Sequence, residues 1–97
     1  MGTEKITLEY NYGQLVISKA GHDKNKIYAV VREEADHVYL ADGKLKTLQK
    51  LKKKNKKHIQ IINYIDRELA EKNSRNQKIE NSDIIRAIKL YESGFEK

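Results

Sequence analysis

Eight lysines and no acid fall within residues 44–58 of this 97-residue chain. The rest of the chain is balanced. Residues 1–43 carry five basic and seven acidic side chains, and residues 59–97 carry seven of each. The whole net charge of +6 therefore sits in one fifteen-residue stretch. Lysine heads spaced this closely suit a polyanion, because each can displace a counterion condensed on a phosphate backbone. If about six of the eight meet phosphates, log K falls with log salt at a slope of about −4 to −5. The lysines concerned are Lys44, Lys46, Lys50, Lys52, Lys53, Lys54, Lys56 and Lys57, with His58 beside them as a group that can stack or donate a hydrogen bond. A second basic set, Lys19, Lys24 and Lys26, flanks Gly21 and His22. Glycine at that point lets backbone approach a ligand closely.

Other chemistry is poorly supplied. His22, His37 and His58 lack metal-ligand spacing, there is no cysteine, and no Walker-type glycine loop occurs. His22 and Asp23 are loop neighbours without triad geometry, and Glu33 and Glu34 would point apart on a strand. The expectation is a protein that is not an enzyme and has no cofactor and no metal site. Few arginines are present to make forked contacts to base edges, so shape and backbone recognition is expected rather than sequence reading.

The elements that must position these residues follow from periodicity. Ile6, Leu8 and Tyr10 alternate with polar residues, a weak strand signal. Leu15, Val16 and Ile17 form a short apolar run that ends at Gly21, and "HDKNK" reads as a polar loop. "IYAVVRE" from Ile27 and "HVYLA" from His37 are further strands, the latter closed by Asp42-Gly43, a hairpin signal. Short strands at close spacing with tight turns predict a small barrel or sandwich, and the barrel is favoured because closure removes exposed edges in so small a unit. Beyond the lysines, Ile61, Ile62, Ile65 and Leu69 recur at helical spacing. A second helix is predicted from a cap at Asn81 or Ser82, with Ile84, Ile85, Ile88 and Tyr91 as its stripe and Gly94 as its stop. The local structure around Leu45, Leu48 and Leu51 stays open between a helical turn and a strand ending. Tyr28 and Tyr39 are read as core or barrel-face residues rather than base-stacking platforms.

Residues 13–31, "GQLVISKAGHDKNKIYAVV", resemble a KOW motif, with Gly21 at its central glycine. With "DGKLKTLQKLKKKNKKHIQ" downstream, the chain resembles the small KOW-domain RNA-binding proteins of Gram-positive bacteria. These are related to the KOW-containing large-subunit ribosomal proteins of archaea and eukaryotes. The resemblance covers roughly residues 13–60. It departs at Asn25, where the motif usually has a second glycine, and at Leu51, where relatives often have proline. Asn tolerates a left-handed backbone better than other non-glycine residues.

The resemblance implies an SH3-like β-barrel, RNA as ligand, association with the ribosome and its proteins, and no catalysis. The combined expectation is an α+β chain. Residues 1–58 form an SH3-like KOW barrel with a basic extension, and residues 59–97 form a helical hairpin on or beside it. Its function is to bind structured RNA as a cytoplasmic monomer, with alanines at Lys52, Lys53 and Lys54 abolishing binding. The alternative is an SH3-like module that binds a protein partner, favoured if an isoleucine patch is exposed on the helices. No apolar run approaches the ~20 residues of a membrane span, and the first ten residues lack the apolar region of a secretory signal.

Overall fold

The computed structural model describes residues 10–94. Ile6 and Leu8, the start of the first expected strand, lie outside them. The described chain is α+β: β1 (Gln14–Ser18), β2 (Ile27–Glu33), β3 (His37–Ala41), β4 (Lys52–Asn55), a 3-10 turn at Lys56–His58, β5 (Ile59–Ile65), α1 (Arg67–Ser74) and α2 (Asn81–Glu92). The strands form one antiparallel sheet in the order β4-β3-β2-β1-β5.

The sheet's two outer strands are consecutive in sequence, and this fixes its shape. In a flat sheet, four strand spacings would hold β4 and β5 about 19 Å apart. Only the 3-10 turn separates Asn55 from Ile59. At about 2 Å of rise per residue it spans roughly 8 Å. The sheet must therefore curve enough to bring the end of β4 and the start of β5 together, although no ladder joins β4 to β5 among the described residues.

Curling gives the sheet two apolar faces. Inside lie Val16, Tyr28, Val30, Val38, Leu40 and Ile59, with Tyr10 packed against them. Outside, Leu15, Ala29 and Ala41 meet Ile84 and Ile88 of α2. Burial on both faces explains why β1 and β2 read as continuous apolar runs rather than alternating ones. Where β5 bulges against β1, the buried Gln14 amide donates to the carbonyls of Ile62 (2.6 Å) and Tyr64 (3.2 Å), groups a regular ladder would have satisfied.

Several expectations are corrected. Ile61, Ile62 and Ile65 do not open a helix; they lie on β5, whose pairing with β1 completes the sheet beyond residue 58. Helix begins only at Arg67, capped by Asp66, which accepts from the Leu69 amide at 3.0 Å. α2 is capped one residue earlier than expected, at Glu80, whose amide donates to Asp83 at 2.9 Å. Asn81 instead pins the preceding loop, accepting from the Leu48 amide and donating to Gln49. Asp42-Gly43 is no two-residue hairpin: residues 42–51 form a longer loop, with Leu48 and Leu51 packed into the outer cluster. Gly43 has φ +84, and a Cβ there would lie 2.6 Å from the Asn81 carbonyl and 2.7 Å from Ile85. It is the point where the loop touches α2.

Candidate nucleic-acid interface

The lysine-rich run is a strand. Lys52, Lys53 and Lys54 pair with Leu40, Tyr39 and Val38 of β3. Side chains alternate along a strand, so Lys52 and Lys54 share the inner face with Leu40 and Val38, and Lys53 points outward.

The inward lysines meet Asp23, in the loop between β1 and β2. Lys54 Nζ donates to Asp23 Oδ1 at 2.9 Å and to the Ala20 carbonyl at 2.8 Å. Lys52 Nζ lies 3.3 Å from Asp23 Oδ2. The Ser18 hydroxyl donates to Oδ1 (2.9 Å) and the Tyr28 phenol to Oδ2 (3.3 Å). Asp23 is 8% exposed and Lys54 is nearly as enclosed. Burial pushes the Asp23 carboxyl up, but the donors on it outweigh burial and hold it well below the usual carboxylate range. Burial, with the Asp23 charge second, raises the Tyr28 phenol from 10.0 to about 12. These ion pairs tie the loop to β4. A second inward lysine pair sits below: Lys56 Nζ is 2.6 Å from Glu33, which also accepts from the Tyr10 amide.

The loop itself is built by two left-handed residues, Gly21 (φ +87) and Asn25 (φ +75). Asparagine can hold the left-handed conformation at 25 because its short polar side chain tolerates it. The Asn25 amide closes the loop onto the Ser18 carbonyl at 2.8 Å.

The expected site residues therefore divide. Lys52, Lys54 and Lys56 are committed to Asp23 and Glu33. Lys19, Gly21, His22, Lys24 and Lys26 are exposed on the loop, and Lys57 and His58 are exposed on the 3-10 turn. The two segments meet where the Lys19 amide donates to the His58 carbonyl at 2.7 Å. Lys44, Lys46 and Lys50 lie on the 42–51 loop, with Lys44 and Lys26 turned toward a cleft beside Ile85, Ile88 and Lys89 of α2. Asp23 is the residue the sequence reading missed. It is the one acid between residues 19 and 26, flanked by lysines, and that isolation was its signal.

Among the described residues no group of three or more His, Asp or Glu side chains could hold a metal ion, and no helix is long and apolar enough to cross a membrane. No protein-family model matches the chain, and no curated protein matches it in sequence.

Proposed function

We propose that the protein binds structured RNA through the loop of residues 19–26 and the adjoining 3-10 turn, on an SH3-like barrel of the KOW kind, in association with the ribosome in the cytoplasm. The observation that carries this reading is the withdrawal of charge at that edge. The single acid, Asp23, is buried and matched by two lysines that also point inward. What faces outward on both segments is basic or neutral: Lys19, His22, Lys24, Lys26, Lys57 and His58. Two segments whose own outward side chains carry no acid suit a phosphate backbone; the exposed acid beside them is Asp36, whose carbonyl accepts from the Lys56 amide at 2.9 Å.

The division of the lysines changes the test. Alanine at Lys52 or Lys54 would act on the fold through Asp23 and so cannot report on RNA contact alone. Lys19, Lys24 and Lys57 are exposed and make no ion pair among the described residues. With these three and Lys53 on phosphates, the salt slope should be about −3 to −4. The triple variant Lys19→Ala/Lys24→Ala/Lys57→Ala should keep the wild-type melting temperature. It should lose roughly tenfold or more in affinity for a fluorescently labelled ribosomal RNA fragment, and its slope should flatten by about 2 to 3. Unchanged affinity and slope in this variant would remove the reading.

A second reading, docking of a protein partner, has one observation of its own. β5 carries no charged residue and pairs only with β1 among the described residues, leaving Ile61 and Ile65 exposed on the sheet's other edge. The exposed isoleucines are on this strand and not on the helices, where Ile84 and Ile88 are buried.

A further inference from the structure

At Val31 the register of β2 slips against β3: Val30 pairs with Leu40, but Arg32 pairs with the next residue, Tyr39. Such a bulge re-aims the side chains after it. Without it, Arg32 would follow Tyr28 and Val30 into the inner core, two residues apart along one face. With it, Glu33 turns inward to Lys56, and Arg32 turns outward into line with Tyr39 and Lys53. These three are direct cross-strand partners on three neighbouring strands. The Arg32 guanidinium carbon lies 4.8 Å from the centre of the Tyr39 ring, and Lys53 Nζ lies 5.9 Å from it.

Tyr39 belongs to neither apolar cluster, unlike Tyr28. Its hydroxyl donates to Glu34 at 3.3 Å, and the same carboxylate accepts from Arg32 at 3.4 Å. One acid thus holds both the rim of the ring and the guanidinium, and the row keeps a net positive charge. The Arg32 side chain is 64% exposed. β4 connects this row to the basic edge: Lys54, next to Lys53, reaches the loop from the opposite face.

We propose that Arg32, Tyr39 and Lys53 form a stacking site for one unpaired RNA base. The base lies against the guanidinium and ring planes, which accept any base face, and Lys53 meets an adjacent phosphate. The inference rests on the RNA-binding reading and adds to it that the bound RNA offers a bulged or looped-out nucleotide. A cation–aromatic row serving only stability would make no distinction between RNA probes.

The test uses two RNA hairpins of equal length, one fully paired and one carrying a single bulged 2-aminopurine. The wild type should bind the bulged hairpin roughly five- to a hundredfold more tightly and quench the 2-aminopurine emission. Tyr39→Leu should lose both the preference and the quenching while keeping the salt slope. Tyr39→Phe should keep the preference, because it keeps the ring. If Tyr39→Leu melts too early to assay, Arg32→Gln, at an exposed position, should weaken the preference in its place. Equal binding of the two hairpins by the wild type, or a preference that survives in Tyr39→Leu and Arg32→Gln, overturns the stacking site and leaves RNA binding standing. Binding of neither hairpin removes the stacking site together with the RNA reading.

Discussion

Asp23 is the position at which removing three atoms should do the most damage. In Asp23→Ala, Lys54 loses its carboxylate partner while its side chain remains only 12% exposed. Its ammonium keeps the Ala20 carbonyl, 2.8 Å away, and nothing to balance its charge. The Ser18 and Tyr28 hydroxyls lose the acceptor they share. Lys52, at 29% exposure, can turn to solvent. Breaking an enclosed pair from one side costs about 3–5 kcal/mol, and the relief open to Lys52 places this case near 3. For a chain of 97 residues that corresponds to about 12–24 °C in melting temperature. Replacing both partners should cost much less than the sum of the single changes, because Lys54→Met removes the charge that Asp23→Ala strands. The double-mutant coupling should exceed about 1 kcal/mol.

The pH dependence has a definite sign. The Asp23 carboxyl sits below its unfolded value of 3.8. Its contribution is therefore complete above that value and is lost as pH falls through the folded one. Thermal melts from pH 7 downward should show the wild type losing stability below about pH 4, with Asp23→Asn flatter over that range. A loss below 1 kcal/mol in Asp23→Ala, with no coupling to Lys54, would refute the idea that these pairs hold the loop to β4.

Two further outcomes follow from the packing. Tyr28 is held protonated, its phenol raised from 10.0 to about 12; the unfolded chain ionises first, so stability falls as pH rises between those values. Tyr28→Phe should remove about 2 kcal/mol of that alkaline loss, read as the difference between wild-type and variant melts across pH 9–12. Gly43→Ala should cost about 2–4 kcal/mol, because a left-handed backbone and a Cβ 2.6 Å from the Asn81 carbonyl act together. Denaturant titration measures it, and RNA affinity below the melting range should stay unchanged, since Gly43 contacts α2 and not the basic edge.

What could be read in the sequence was whatever left a local trace. β1, β2 and β3 carry apolar runs between turn residues, and the residues expected in them are the ones that pair. β4 left no trace because Lys52–Asn55 holds no apolar residue; only its place beside β3 makes it a strand. β5 left a false one. The 61, 62, 65, 69 spacing of its apolar residues fits a helix face, but Ile61, Ile62 and Ile65 are β-branched, and β1 offers them a ladder. The charge excess was visible, but not its partition, since that requires the alternation of a strand that could not be seen and an acid thirty residues away.

That partition also accounts for an asymmetry between the two edges. An edge strand exposes unpaired backbone groups to any strand that can add to it, and inward-pointing charge is one defence. β4 is defended on both faces, by Lys52 and Lys54 within and Lys53 without; β5 holds no charge at all. The lysines of β4 thus serve the fold first: they block strand addition and fasten the loop. Their neutralisation of Asp23 is what leaves the loop's outward residues without an opposing acid. On this argument the three roles cannot be separated by mutating the run as a block. They separate by face: changes at Lys52 or Lys54 should move stability, and a change at Lys53 should weaken RNA binding and flatten the salt slope by about 1 with the melting temperature held.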